Sequence, residues 1–567
     1  MMKPKSEALS GGQAAVRALQ TENTKHVFGL IGSATMEMFD ALYDAEDIDF
    51  VGVHDERTGT HMADGYARAS GEAGVILAGQ NGPGATNLVT GLSQAKAAFS
   101  PVVSIAGALS SGHQYRDAFQ EVDQQALFTP VTKKTWTVPS VDRVPELFRE
   151  AFRTAMTPRR GPVQLNLPRD VLSATAAFDD FQKPHQYRNT SVPAASNDAV
   201  AAAATLLAGA SAPVIVVGGG IKNTEGHDEA ISLATALNAP IVSAPGHGDA
   251  ISFGHPLNAG QMGPRGNPVA SRLVREADVI LALGTRLGFN STFYSYDNIN
   301  REAAIIHVEL EPTAIGRYFP IDVGIWADAP TAARQIKEAV SAQKARDAVN
   351  AWTDQFKDER AAYRAKRDAD AIMDTALIQP SGLFKTLRDV LPQEAAFTMD
   401  AGTLCLQATD ALNYWQPKSL FTPLDFGLVG FSFACGLGVK LANPERPVIS
   451  MMGDGGFGMT ISELSTAVDH GINTVTIVMN NGSWGAEKAY QRDFFQGRYI
   501  GADVSSPAFD KAAELYGAAG FKVDHLDQIG DAVAAALNAG RPAVVDVSVD
   551  PAALYSFRRD SFKHRGG

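Results

Sequence analysis

Residues 451–490 read "MMGDGGFGMTISELSTAVDHGINTVTIVMNNGSWGAEKAY", with one carboxylate near the start and two adjacent amides further on. Asp454 sits in a glycine turn after the apolar run "RPVISMM", and Asn480–Asn481 end the next apolar run, "TVTIVM". The pattern between them is helical. Strand, turn, helix and strand put both turns at the carboxyl edge of a parallel sheet, where helix N-termini aim free N–H groups at anions. Gly453, Gly455 and Gly456 would let the backbone approach a diphosphate with no Cβ in the way. A carboxylate at that place repels a diphosphate unless a cation lies between them. Mg2+ takes about six oxygen ligands, few of them from protein. Asp454, the Asn481 amide oxygen and the Ser483 carbonyl form a donor set for it. A lone GDG is most often a plain βα turn; the whole unit is far more specific.

Similar elements recur along the chain and would position these groups. "HVFGLIG" (26–32), "FVGVH" (50–54), "AGVILAG" (73–79) and "PVVSIAGA" (101–108) read as buried parallel strands, with helical patterns at 56–69 and 84–97. "VQLNLPRDVL" (163–172) closes this block, and the polar stretch 178–198 reads as a linker. A second unit runs from "APVIVVGGGI" (212–221) through "APIVSAPG" (239–246) and "ADVILALGTRLG" (277–288) to "AIIHVELEP" (304–312). The charged helical segment 344–370 reads as a second linker. A third unit begins near 380 and reaches "AVVDVSVD" (543–550), before the basic tail "FRRDSFKHRGG". The expected fold class is α/β, with three sequential doubly wound parallel-sheet domains. The expected bounds are 1–180, 195–345 and 375–550, with a tail at 551–567.

A chain of 567 residues is too long for a single core. Its net charge of −13 argues against nucleic acid and anionic membranes as general partners, so an anionic ligand would need a local cationic site. Cys405 and Cys435 make neither a disulfide framework nor a zinc pattern and are expected as buried thiols. The first residues show no apolar leader, and no apolar run approaches the ~20 residues of a membrane span. A cytoplasmic location is the expectation.

Three further motifs accompany the metal unit: "VGVHDERTGTHMADGYARASG" (51–71), "QNGPGATN" (80–87) and "DFGLVGFSFACGLGVKLA" (425–442). With them the chain resembles, over essentially its whole length, the acetohydroxyacid synthase/pyruvate decarboxylase-like family of thiamine diphosphate (ThDP) enzymes. The resemblance implies pyrimidine-binding, central and diphosphate-binding domains in that order. It also implies active sites between the first domain of one subunit and the third of another, hence a homodimer or homotetramer. Glu56, by itself a helix N-terminal charge favoured by the dipole, matches the family's glutamate that hydrogen-bonds the cofactor's pyrimidine and drives its activation. Asn81 and Gly82 fall in the family's glycine turn. Gly427 and Val429, otherwise an ordinary core valine, match the segment that bends the cofactor. Gly402, Thr403 and Leu404 fit a second diphosphate loop. ThDP and Mg2+ are the implied cofactors, with Asp454, Asn481 and Ser483 on the metal. Some relatives bind FAD or a nucleotide in the central domain; "GGG" (218–220) and "LGTRLG" (283–288) are weak evidence for one here.

"NNGSWGAEK" is similar to the sulfoacetaldehyde acetyltransferase branch of this family, as are "AFQEVDQQALF" (118–128), "GPVQLNLPRD" (161–170) and "SFRRDSFKHR" (556–565). "FQEVD", which supplies Gln120 to the catalytic set, is shared with acetolactate synthases and separates the branches poorly. The branch implies a small sulfonated aldehyde and inorganic phosphate as substrates, with acetyl phosphate and sulfite as products. Two anions need cationic partners. Lys488, Arg558, Arg559, Lys563, His113 and Arg116 could serve, although each alone reads as solvated surface charge; Lys488 is preferred and Arg559 comes second. "HDERTG" and "GTLCLQ" depart from the expected patterns and bear on substrate more than on cofactor. Three alternatives stand: acetolactate synthase-like decarboxylation or carboligation of a 2-oxoacid, hydrolysis of a diketone, and non-catalytic ThDP binding. The joint presence of Glu56, Asp454 and Asn481 opposes the last.

Overall fold

In the computed structural model, which describes residues 7–179, 181–189, 191–340 and 347–555, the apolar runs become strands of three six-stranded sheets. The described chain enters through β1 (Glu7–Ser10). The first sheet holds β2 (His26–Leu30), β3 (Asp49–Gly52), β4 (Gly74–Ala78), β5 (Val102–Ala108), β6 (Thr135–Thr137) and β7 (Val163–Pro168), in the order β3-β2-β4-β5-β7-β6. β8 (Thr175–Phe178) then pairs antiparallel with β1. The central sheet holds β9 (Pro213–Val217), β10 (Ile241–Ser243), β11 (Asn258–Gln261), β12 (Val279–Leu283), β13 (Ala304–Glu309) and β14 (Val323–Trp326), ordered β11-β10-β9-β12-β13-β14. The third holds β15 (Ala396–Met399), β16 (Leu420–Phe421), β17 (Val448–Gly453), β18 (Val475–Asn480), β19 (Ala519–Val523) and β20 (Ala543–Ser548), ordered β16-β15-β17-β18-β20-β19. Within these three sheets the pairings are parallel. Val214 and Val216 of β9 face one core while Ile215 and Val217 face another. Burial on both faces is why these strands read as unbroken apolar runs.

The first and third domains share a core in which Phe28 and Ile76 meet Phe433, Phe457 and Val544. Helices Glu56–Ser70 and Ser432–Ala442 cross there at very close range. A Cβ on Gly65 would lie 2.2 Å from the Cys435 carbonyl oxygen, and one on Gly438 would lie 1.9 Å from that of Met62. These glycines of "ADGYAR" and "ACGLG" let two helices touch. A polar clamp lies alongside: the buried Glu463 carboxylate accepts from the His54 backbone N–H at 3.1 Å and lies 2.6 Å from the Thr58 hydroxyl.

Both segments read as linkers are anchored. Tyr187 and Arg188 bond Glu22, tying the 178–198 stretch back to the first domain. The second contains helix Asp347–Ala369, which buries Phe356. Trp352 Nε1 donates to the Pro213 carbonyl at 3.2 Å, Arg272 pairs with Glu359 at 2.7 Å, and Arg367 reaches the Asp410 carbonyl of the third domain at 2.9 Å. This helix is a strut, held by arginines that composition alone reports as solvated charge. Cys405 and Cys435 are free and buried. Among the described residues no helix is long and apolar enough to cross a membrane.

Candidate active site

β17 and β18 lie side by side with Gly453 opposite Met479, so their carboxyl ends bring Asp454 and Asn481 to one place. Both line a cavity of about 380 Å3. Four segments of the third domain carry much of its wall: Gly402, Thr403 and Leu404 after β15; Gly427 and Val429 after β16; Gly453, Gly455 and Gly456 at the end of β17; and Asn481 and Ser483 after β18. Helix Thr403–Ala411 starts at the cavity, so its first N–H groups stand at that wall. Gly402 (φ 102°) and Gly427 (φ 78°) adopt left-handed backbone, and a Cβ on either would meet no atom within 4 Å.

Asp454 is 1% exposed. Its Oδ2 accepts from Ser506 Oγ at 2.7 Å, while its Oδ1 is buried with no hydrogen-bond partner among the described residues. Burial raises this carboxyl above the usual carboxylate range, opposed by the Ser506 bond. An orphaned buried oxygen is costly, and a cation would satisfy it. Asn481 lines the same cavity, its Oδ1 accepting from Ser483 N–H and Oγ, each at 3.1 Å. One carboxylate among neutral oxygens suits a hard cation that keeps positions for phosphate and water. The open glycine wall and the helix start suit the phosphate. The residues present therefore fit a diphosphate held through a cation.

Of the three glycines around Asp454, only Gly453 faces open space. A Cβ on Gly455 would lie 2.6 Å from the Trp484 ring, and one on Gly456 would lie 2.2 Å from Asp400 Oδ2. Side chains pack on those two, and all three glycines still line the cavity. Asp400 itself escaped the sequence reading. It accepts N–H bonds from Gly430 (3.0 Å), Phe431 (2.7 Å) and Ser432 (3.2 Å), and so fixes the loop that carries Val429. Burial outweighs these donors and pushes its carboxyl up to about 6. Its signal was available: like Asp454, it is a carboxylate at the end of an apolar run.

Glu56, Asn81, Gly82 and Gln120 come together elsewhere. Glu56 starts helix Glu56–Ser70, is 4% exposed, and accepts from Asn87 Nδ2 at 2.9 Å. Burial raises its carboxyl above 4.5, and the Asn87 bond opposes this. Asn81 Nδ2 donates to the Gln120 carbonyl at 3.1 Å, and Gln80 bonds the Gln120 side chain. Gly82 (φ 56°) lies under that carbonyl, where a Cβ would sit 2.6 Å from it. None of the four lines the 380 Å3 cavity of the same chain. The chain carries two separate clusters.

Lys488 lies on helix Gly485–Phe494, pairs with Asp503 at 2.6 Å, and is not part of the cavity wall. His113 and Arg116 stand in an exposed loop, and Arg558, Arg559 and Lys563 lie outside the described residues. Among the described residues, the cationic side chain on the wall is Arg265, from the central domain, which no sequence motif marked. A second cavity of about 680 Å3 includes Gly219, Gly220, Gly284 and Arg286. Packing explains this glycine pair, since a Cβ on Gly220 would lie 2.5 Å from the Gly284 Cα.

The chain matches the N-terminal TPP-binding domain of thiamine pyrophosphate enzymes over residues 9–127, their central domain over 200–336, and their C-terminal TPP-binding domain over 400–547. It belongs to the ThDP-dependent enzyme family of acetohydroxyacid synthase/pyruvate decarboxylase type. It is 32% identical to a probable acetolactate synthase large subunit of Methanocaldococcus jannaschii, over 96% of this chain and 92% of the relative. It is 32% identical to a sulfoacetaldehyde acetyltransferase of Alcaligenes xylosoxydans xylosoxydans, over 98% and 95%. It is 31% identical to acetolactate synthase isozyme 3 large subunit of Escherichia coli, over 96% and 95%. Overall identity does not separate the two activities.

Proposed function

We propose that the protein is a Mg2+- and ThDP-dependent sulfoacetaldehyde acetyltransferase, converting sulfoacetaldehyde and inorganic phosphate to acetyl phosphate and sulfite. The segment after Asn481 carries this proposal. Ser483, Trp484, Gly485, Ala486 and Glu487 line the cavity, and this is the stretch, within "NNGSWGAEK", that is similar to the acetyltransferase branch. The conversion needs no external oxidant: the aldehyde carbon rises to the acyl level while its neighbour loses sulfite and becomes a methyl group. The C–S bond breaks and a C–O bond to phosphate forms.

ThDP, when bound, supplies a nucleophilic carbon and an electron sink. The chain's own residues bind, orient and handle protons. Asp454, Asn481 and Ser483 would hold Mg2+, and Gly402, Thr403, Leu404 and Gly453 would seat the diphosphate. Gly427 and Val429, fixed through Asp400, would set the angle of the rings, with Gly455 and Gly456 keeping Trp484 and Asp400 close. Glu56 is a buried carboxyl able to hold a proton at a pyrimidine nitrogen, and Asn81, Gly82 and Gln120 would shape its surroundings. These four do not line the cavity of their own chain, so the proposed unit is a homodimer or a larger homo-oligomer, placed in the cytoplasm. Tyr115 (96% exposed) and Phe119 (82% exposed) precede Gln120 in sequence and would be covered by a second copy.

Incubation with ThDP, Mg2+, sulfoacetaldehyde and phosphate should release sulfite and acetyl phosphate in equal amounts. A parallel incubation with pyruvate is assayed for CO2 and acetolactate. Product from pyruvate alone would replace the proposal with 2-oxoacid chemistry.

A further inference from the structure

We infer that Ser506 fixes Asp454 as a one-oxygen ligand and so favours Mg2+ over larger divalent cations, resting on the reading of the cavity as a diphosphate site held through a cation. The two oxygens of Asp454 have different surroundings. Ser506 Oγ donates to Oδ2 at 2.7 Å, while Oδ1 is buried with no hydrogen-bond partner among the described residues. One oxygen is taken and the other is left for a cation. Ligation through both would require Oδ2 to leave the hydroxyl.

That asymmetry bears on which cation fits. Mg2+ demands near-octahedral geometry and takes one or two carboxylates alongside phosphate and water, whereas Ca2+ accepts about six to eight oxygens and often both oxygens of a carboxylate. A carboxylate held at Oδ2 denies the larger ion that extra oxygen. The hydroxyl also draws some charge from the carboxylate, which weakens it as a ligand. Orientation is the larger effect: removing a group that orients a metal ligand costs about 10- to 100-fold in metal affinity.

The segment that carries Ser506 holds it in place. Residues 500–506 follow helix Gly485–Phe494 and run back beside the turn after β18. Ile500 is tied to Gln491, its N–H donating to Oε1 and its carbonyl accepting from Nε2, each at 2.9 Å. Trp484 N–H donates to the Ala502 carbonyl at 2.8 Å and Val504 N–H to the Gly482 carbonyl at 2.9 Å, so Ser483 stands opposite Asp503 in an antiparallel bridge. Because the flanking residues make these bonds, the N–H and carbonyl of Ser483 face away from the segment. The N–H meets Asn481 Oδ1 at 3.1 Å, and the carbonyl is left on that same side. One segment thus supports both Asp454 and the turn that carries Asn481 and Ser483. No local motif marks Ser506, which lies 52 residues from Asp454 in sequence.

The test uses the full chain, stripped of metal by a chelator, as wild type, Ser506→Ala and Ser506→Thr. ThDP binding at fixed ThDP is followed by calorimetry as Mg2+ or Ca2+ is added, and the half-saturating concentration of each cation is read. Ser506→Ala should need about 10- to 100-fold more Mg2+, with a smaller rise for Ca2+, so that the preference for Mg2+ narrows. Ser506→Thr keeps a hydroxyl and should recover most of that preference. An equal loss for both cations is what a loosened fold would give, and it overturns the inference. Wild-type half-saturation in Ser506→Ala overturns it too, as does tighter Mg2+, which would leave the hydroxyl only its drain on the carboxylate. Ser506→Thr that does no better than Ser506→Ala removes the hydroxyl from the account. Wild type whose ThDP binding ignores divalent cations refutes the cation reading of the cavity and this inference with it; cation-dependent wild type beside an unaltered Ser506→Ala refutes this inference alone.

Discussion

Gly453 and Gly456 offer a clean separation of ligand space from packing. Gly453 has φ −78° and ψ 162°, a conformation open to alanine, and its added Cβ would meet no atom within 4 Å. Gly453→Ala should therefore leave the cofactor-free fold unharmed, or stabilise it by about 0.4–1 kcal/mol through a less flexible unfolded chain. Its methyl would stand in the cavity where the diphosphate is proposed to rest, and a displacement of about 1 Å at such a site costs about 10²-fold. Gly456→Ala should behave in the opposite way. Its Cβ would lie 2.2 Å from Asp400 Oδ2, where ordinary contact begins at 3.4 Å. Asp400 cannot retreat without releasing the N–H groups of residues 430–432. Overpacking of this kind costs about 1–3 kcal/mol, and in a domain of this size each kcal/mol is worth about 2–4 °C. Thermal unfolding without cofactor, paired with a ThDP titration followed through the fluorescence of Trp484, reads both effects. Gly453→Ala with wild-type ThDP affinity would refute the phosphate seat, and Gly456→Ala with wild-type stability would refute the packing account.

Asp454→Ala should lose Mg2+-dependent ThDP binding while the cofactor-free protein unfolds no earlier, since the change also removes a buried orphaned oxygen; calorimetric titration with and without Mg2+ reads this, and tight metal-independent binding counts against it. Glu56→Gln should retain ThDP and lose about 10²-fold in turnover, the scale of a missing general acid–base group; an unaltered rate would remove Glu56 from the chemistry. Glu56 also gives a pH signature. Burial raises its carboxyl above 4.5, so the folded chain binds a proton more tightly than the unfolded one, and this contribution to stability is lost as pH rises through the window above that value. Glutamine has no such loss, so the urea midpoint of Glu56→Gln should gain on wild type as pH rises above 4.5; a constant difference would contradict the shift. Lys488→Ala should leave both substrate KM values as in wild type, because its ammonium is engaged by Asp503; a raised KM would return the anion to Lys488.

The sequence alone determined what depends on neighbours along the chain. Apolar runs of strand length, broken by glycine turns and helical periods, specified the parallel α/β units, and the residue after each run specified what stands at a strand's carboxyl end. That is why Asp454 and Asn481 could be placed together, and why Glu56 could be set at a helix start. The tertiary structure decided whatever depends on which strands become neighbours. With β17 between β15 and β18, Asp400 comes to rest against Gly456, and Trp484 against Gly455, so two cavity-lining glycines of one motif also carry packing while the third faces open space. A helix rich in arginine and glutamate became a strut because its partners, Pro213 and Asp410, lie in two different domains. Arg265 reached the cavity from a loop of the central domain, and Glu56 was held away from the cavity of its own chain. No local pattern encodes such contacts, because they form only when distant segments are brought within a few ångströms and their side chains must share the same space.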